Sequence, residues 1–503
     1  MSRINSQLFQ QKVTTADVAA GFIEPGTNVG FSGFTGSGYP KAVPVALAER
    51  IKAAHEAGDE FQIGVFTGAS TAPELDGALA EAGGIAMRSP YQSDPALRGR
   101  INAGETDYVD LHLSHSGPVV ASGVFGPLDT AVIEVSAITA DGQLVPSSSV
   151  GNNVRWIEAA RQIILEVNHW QSADLEGMHD IKDLPALPPH RRPILITHPA
   201  DRIGFTTMRI NPERVVAVVE TDAPDRNTPF KPLDDESRQI AGHLLDFLAH
   251  EVKLGRIPKS LLPLQSGVGN IANAVLAGLL EGPFEHLTSF TEVIQDGMVD
   301  LLDSGKMTVA SATAFSLSPT YAEKLNADAK RYRELIVLRP QDVSNHPEVI
   351  RRLGVIACNG LIEADIYGNV NSTHIMGSRM QNGLGGSGDF TRNAFISCFV
   401  TPSLAKGGAI SSIVPMVSHV DHNEHDVQVI ITEQGLADLR GLAPRKRAQL
   451  IIDHCCHPTY RPMLQEYFDR SVATAKAQHT PVDLATAFDW HVRFNQTGSM
   501  LPG

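Results

Sequence analysis

The chain has 503 residues, 42% of them hydrophobic and 19% charged, and a formal net charge of −15. That length outgrows a single core and predicts two or more domains. The acidic balance, with no concentrated basic face, excludes a general nucleic-acid binder, because phosphate neutralisation needs clustered Lys and Arg. No apolar signal core follows Ser2, and no uncharged apolar run reaches the roughly 18 residues of a membrane span, so a cytoplasmic protein that does not enter membranes is expected.

The first half alternates strands, glycine loops and helices. A strand over Thr27 to Phe31 runs into Ser32-Gly33-Phe34-Thr35-Gly36-Ser37-Gly38-Tyr39-Pro40, and Val43 to Ala54 then has helical apolar spacing. Phe61 to Phe66, the loop from Thr67 to Thr71 and the helix Pro73 to Ala82 repeat the plan. Two such units in succession predict a parallel sheet. Further strands are expected at Ala131 to Ile138, Ile163 to Val167 and Val215 to Val219, with the Pro-rich Leu184 to Pro193 as a surface loop.

Thr221 to Pro232 carries three prolines among polar residues, and a long helix is predicted from Asp234 through Leu244 to Val252. The domain boundary is therefore expected at 223/224, dividing the chain into 1–223 and 224–503. The second half restarts the pattern, with Leu264 to Asn270 leading into a helix over Ala272 to Leu280. Strands are expected at Leu287 to Ile294, Thr308 to Ala312, Leu335 to Leu338 and Val355 to Ala357. The fold class is α/β, two tandem domains with ligands expected beyond the strand C-termini in a cleft between them.

Asn382-Gly383-Leu384-Gly385-Gly386-Ser387-Gly388-Asp389-Phe390 places four glycines in six positions, which no helix or strand interior tolerates. Such backbone lets a ligand approach bare N–H groups, and Gly267-x-Gly269 ahead of a predicted helix offers a weaker version of the same chemistry. No Walker motif is present, no GxGxxG has an acidic residue at the usual distance, and no Gly-x-Ser-x-Gly elbow occurs, so nucleotidase, dehydrogenase and serine hydrolase chemistry are disfavoured. Glu292 stands in an apolar strand pattern, where a carboxylate must be paired, protonated or functional. Glu433 has a similar Thr-Glu setting, and periodicity does not separate the two.

His419, His422 and His425, interleaved with acids, form the best metal candidate, but their surroundings suit a loop, and hydrogen-bonded loop histidines are the simpler reading. His112-x-x-His115 is weaker. Cys358, Cys398 and the vicinal Cys455–Cys456 give neither a CxxC spacing nor a disulfide framework. No metal is expected.

Taken together, Gln265 to Asn270, Phe290-Thr291-Glu292-Val293-Ile294-Gln295-Asp296-Gly297, Glu363-Ala364-Asp365-Ile366-Tyr367-Gly368-Asn369-Val370-Asn371 and the Asn382 to Phe390 loop resemble the acetyl-CoA hydrolase/transferase family of class I CoA-transferases, over nearly the whole chain. The resemblance implies two CoA-transferase-type α/β domains, with the C-terminal one carrying the catalytic glutamate and the CoA site. It implies coenzyme A as substrate, no prosthetic group, and a homodimer. It places the nucleophile at Glu292, resolving the tie with Glu433, and the oxyanion donors at the Asn345 side-chain amide and the Gly386 backbone N–H. CoA contacts map onto Gly267, Val268, Gly269, Asn270 and Ile271, then Asn382, Gly386 and Lys406. A carboxylate pocket maps onto Gly33, Gly36, Ser70 and Arg226. The implied activity is CoA transfer between short-chain carboxylates, with succinyl-CoA and acetate as the expected pair. Acetyl-CoA hydrolysis and silent CoA binding are the alternatives.

Overall fold

The computed structural model describes every residue except Met1, Thr71, 183–186, 228–231, Val268, Ala477 and Gly503. The chain forms two compact units, Met1–Pro229 with Thr288–Leu353, and Phe230–Leu287 with Gly354–Gly503.

The first unit is built on a twisted sheet with the strand order Val215–Thr221, Gln162–Asn168, Thr130–Ile138, Asn28–Phe31, Ile63–Phe66, Ile85–Ser89 and Asp107–Tyr108. All neighbours on this path are parallel, and Leu144–Pro146 adds an antiparallel strand to Thr130–Ile138. Strands such as Ile63–Phe66 are buried at every position, as a parallel sheet covered on both faces requires. The helix Val43–Ala57 starts with Pro44 in its first turn, turns Val43, Leu47 and Ile51 into the core, and stops at Gly58, whose φ of 88° suits glycine. Its N-terminus sits on the buried Glu166 carboxylate, which accepts the N–H groups of Lys41, Ala42 and Val43.

The segment 288–353 belongs to this unit. Val150 N–H donates to the Thr313 carbonyl, Phe315 N–H to Ser148, and Asp180 N–H to Leu338. This grouping by contacts differs from the expected division at 223/224, which assigned Glu292 and Asn345 to the C-terminal half. The proline-rich segment marks one crossing between units, and the return at 288 carries no composition change to announce it. One correction concerns the single strand expected over Leu287 to Ile294. It is two strands, Leu287–Phe290 and Val293–Gln295, the latter paired in parallel with Ala314–Ser316. At the break, Thr291 N–H still donates to Ser311, while the Glu292 carbonyl accepts from both Thr313 and Ala314. The ladder changes partner at that point, which apolar periodicity does not encode.

The second unit holds the parallel strands Leu264–Ser266, Ile356–Gly360, Ile396–Val400 and Val429–Thr432, with Gly435–Asp438 antiparallel at the end. The helix Asp235–Lys253 is capped by the Asp234 side chain, which accepts the Ser237 N–H. A small sheet of Glu363–Asp365, Val370–Asn371 and Ile413–Val414 packs with the helices Pro444–Cys455 and Arg461–Thr474 in one apolar cluster. All four cysteines are buried and free. Among the described residues no helix is long and apolar enough to cross a membrane.

Candidate active site

Glu292 lies half-buried on the bend between its two strands rather than inside a strand, so its side chain escapes the full desolvation cost of a strand interior. Main-chain bonds hold the bend. Thr313 and Ala314 N–H groups approach the Glu292 carbonyl at 2.9 and 3.2 Å. The next residue, Val293, packs with Phe34, Ala69, Leu113 and Ala314.

Asn345 ends the one-turn helix Gln341–Ser344. Its side chain is fully buried; Oδ1 accepts the Ser344 hydroxyl at 2.8 Å, while Nδ2 donates to no described residue. A buried amide donor without a partner forfeits roughly 1–3 kcal/mol, so such a group calls for an explanation. The turn itself is rigid: Asp342 accepts from Arg155 Nε at 3.0 Å and Nη2 at 2.6 Å, with both side chains buried.

Gly33, Gly36 and Ser70 come together around the same cluster, since Phe34–Thr35 pairs in parallel with Ala69–Ser70. A Cβ on Gly33 would strike Tyr39, and one on Gly36 would overlap the Arg226 carbonyl. The loop is laced to 225–227: Gly36 N–H donates to Asn227 Oδ1 (2.9 Å), Gly38 N–H to Asp225 Oδ1 (3.1 Å), Asn227 Nδ2 to Ser37 Oγ (2.9 Å), and Arg226 N–H to the Gly36 carbonyl (2.9 Å). Arg226 reaches outward, its side chain 63% exposed and paired with Glu74 at 2.9 Å. Ser70 is fully buried, and its hydroxyl meets no described partner.

Behind the loop, the buried Lys41 ammonium bridges Glu134 at 2.6 Å and Asp225 at 3.0 Å. Burial pushes the Glu134 carboxyl up against the pull of Lys41. Asp225 and Asn227 were missed in the sequence because they flank Arg226 in a stretch that reads as a boundary segment. Their alternation with polar and proline residues was the only available signal.

In the second unit, Gly267 N–H donates to the Cys358 carbonyl at 3.0 Å, and Gly269, at φ 125°, precedes the helix Asn270–Glu281, which begins with Asn270 and Ile271. That strand, turn and helix follow the sequence expectation. Val268 lies outside the described residues. Asn382 opens the glycine loop with a buried Oδ1 that accepts from no described residue, and Gly386, buried, is the N-cap of Ser387–Asn393. An N-cap N–H has no intrahelical partner, so the position can donate outward. Lys406 is exposed, at φ 48°, with its ammonium 4.9 Å from the Phe494 ring.

Glu433 is held by the Ser403 N–H at 2.8 Å, the Ser403 hydroxyl and Gln434 Nε2 at 2.9 Å. Burial alone would raise its carboxyl, and these bonds outweigh it and hold the group below its ordinary value. A carboxylate so engaged is a poorer nucleophile. The three histidines diverge. His422 is buried beside the Ser387 hydroxyl at 3.1 Å, His419 faces Asp421 at 3.3 Å, and His425 is exposed. Among the described residues no group of three or more His, Cys, Asp or Glu could hold a metal ion.

The first unit presents a half-buried carboxylate at Glu292 and a buried amide donor at Asn345, groups suited to acyl chemistry, and the second presents glycine turns ahead of helices, suited to an anionic group. The N-terminal and C-terminal domain models of the acetyl-CoA hydrolase/transferase family match residues 2–220 and 322–468. The chain is 50% identical over 498 residues to a succinyl-CoA:acetate CoA-transferase of Clostridium kluyveri, covering 99% of this chain and 92% of that one. It is 46% identical over 488 residues to the propanoyl-CoA:succinate CoA transferase of Escherichia coli, covering 97% and 98%. It is 45% identical over 513 residues to an acetyl-CoA hydrolase of Schizosaccharomyces pombe, covering 99% and 98%. In fold it resembles RipA from Yersinia pestis, with a TM-score of 0.70 at 24% identity, covering 91% of this chain and 97% of that one. The chain belongs to the acetyl-CoA hydrolase/transferase family.

Proposed function

We propose that this enzyme transfers CoA between short-chain carboxylates, with succinyl-CoA and acetate as the working pair. The observation that carries the reading is the Asn345 amide, fully buried with an Nδ2 that donates to no described residue, on the same hydrogen-bonded frame as Glu292. The full-length likeness to two CoA-transferases supports the same class.

In the proposed sequence the Glu292 carboxylate attacks the thioester carbonyl of an acyl-CoA, and the tetrahedral intermediate expels CoA thiolate to leave an acyl-glutamyl anhydride. The thiolate then attacks the glutamyl carbonyl and expels the first carboxylate, leaving a glutamyl-CoA thioester. The acceptor carboxylate repeats these steps in reverse, forming the new acyl-CoA and restoring Glu292. Each tetrahedral intermediate along the way carries an oxyanion, for which Asn345 Nδ2 and the Gly386 N–H are the assigned donors. Gly267, Gly269, Asn270, Ile271, Asn382 and Lys406 are assigned to CoA, with Lys406 supplying charge to its phosphates. Gly33, Gly36, Ser70 and Arg226 are assigned to the carboxylate pocket. The assembly we expect is a homodimer, and a sedimentation mass equal to one chain would refute it.

Hydrolysis is the second reading, favoured by the 45% identity to a protein named an acetyl-CoA hydrolase. Incubation with acetyl-CoA and succinate separates the two. Succinyl-CoA formed without net free thiol supports transfer, free thiol formed whether or not succinate is present supports hydrolysis, and no turnover despite CoA binding contradicts both.

A further inference from the structure

We propose that Thr313 is a positioning residue for this reaction, and that its hydroxyl keeps the Glu292 bend, the Gly33 loop and Asn345 in one register. The inference rests on the roles given above to Glu292 and Asn345. Thr313 is fully buried, and its three polar groups are all engaged. Its N–H donates to the Glu292 carbonyl at 2.9 Å, its carbonyl accepts the Val150 N–H at 2.9 Å, and its Oγ1 accepts the Gly151 N–H at 3.0 Å.

Gly151 is the relay from there. Its φ of 47° places it so close to the Gly33 loop that a Cβ would lie 3.3 Å from the Gly33 carbonyl oxygen and 3.7 Å from Gly68 Cα. The Gly151 carbonyl accepts the Gln341 N–H at 2.9 Å, and the Gln341 carbonyl accepts the Asn345 N–H at 3.0 Å. Gln341 is pinned in turn, its Nε2 donating to the Leu113 carbonyl at 2.9 Å and to Ser116 Oγ at 3.1 Å. Thr313 meets this relay twice, through its carbonyl to the Val150 N–H and through its hydroxyl to the Gly151 N–H, and the hydroxyl is the link that a substitution can remove. Removing it strands a buried N–H that then seeks another partner and moves the relay. Misplacing a reacting group by about 1 Å costs up to roughly 10²-fold in rate, so a small shift is enough to register.

Thr313→Val keeps the shape and removes the acceptor, whereas Thr313→Ser keeps the hydroxyl. The expectation is that Thr313→Val lowers kcat for CoA transfer by about tenfold to a hundredfold with KM for the acyl-CoA little changed, and that Thr313→Ser restores most of the loss. The double variant Thr313→Val/Asn345→Ala should lose less than the product of the two single losses, because both act on the same donor. Circular dichroism and calorimetric CoA binding verify the fold. If Thr313→Val does not fold, Asp342→Asn loosens the same Asn345 turn, and the same sub-multiplicative coupling to Asn345→Ala is expected. Wild-type kcat in Thr313→Val, equal loss in Thr313→Ser, or fully multiplicative losses would overturn the positioning role while leaving the Glu292 and Asn345 assignments intact. Full turnover by Asn345→Ala overturns the underlying reading, and the inference with it.

Discussion

Glu292 and Asn345 differ in what a substitution takes away. Glu292→Ala removes the group to which the acyl bond forms, so turnover should vanish while calorimetry still measures CoA binding, because the residues assigned to CoA lie elsewhere in the chain. A variant retaining a tenth of wild-type transfer would redirect attention to Glu433. Its three hydrogen bonds, from the Ser403 N–H and hydroxyl and from Gln434, speak against that outcome. Asn345→Ala leaves the nucleophile and removes one oxyanion donor. The expected loss is about 10²–10³-fold in kcat, or about 2.7–4 kcal/mol of transition-state stabilisation, with KM for CoA moving much less. Steady-state kinetics that show normal kcat with weakened CoA affinity would reassign Asn345 to ligand contact.

At the level of elements, the C-terminal helix Asp489–Thr497 is fastened through His491, whose Nε2 lies 2.8 Å from Glu363 Oε2. Glu363 also accepts from Asn371 Nδ2 at 3.0 Å and from both the N–H and hydroxyl of Ser418 at 2.7 Å. Burial raises the Glu363 carboxyl, but His491 and these donors outweigh it, leaving the pKa below its ordinary 4.5. A depressed carboxylate stabilises the fold fully above about 4.5, and that contribution fades as the pH falls through the lower folded value. Wild-type protein should therefore lose thermal stability below about pH 4.5 more steeply than Glu363→Gln, whose melting curve lacks this titration. Parallel slopes in the two proteins would contradict the account.

The elements also show where sequence reading succeeds and where it stops. The strand, glycine turn and helix over Leu264 to Glu281 were legible because local apolar spacing and glycine punctuation dictate them. The bend at Glu292 was not, because it depends on which strand supplies the next N–H groups, and that is a long-range fact. The lacing of Gly36 and Gly38 by Asn227 and Asp225 was hidden for the same reason, with partners about 190 residues apart in sequence. Glu292 was singled out by its apolar setting, but only the family resemblance separated it from Glu433.

For the whole molecule, composition announced more than one domain but not that the chain leaves the first unit and returns to it at Thr288–Leu353. That return groups Glu292 and Asn345 with the Gly33 loop in one compact unit, although the strands Leu287–Phe290, Met307–Ala312 and Ile336–Leu338 extend the sheet that begins again at Leu264–Ser266 rather than the N-terminal sheet. Covalent catalysis on Glu292 leaves a mass signature that intact mass spectrometry reads. Enzyme mixed with acyl-CoA in the absence of an acceptor acid should gain about 750 Da, the mass of a glutamyl-CoA thioester, and lose it when a carboxylate acceptor is added. Full-speed consumption of acetyl-CoA without any acceptor, leaving the protein mass unchanged, would contradict transfer through Glu292 and leave hydrolysis in its place.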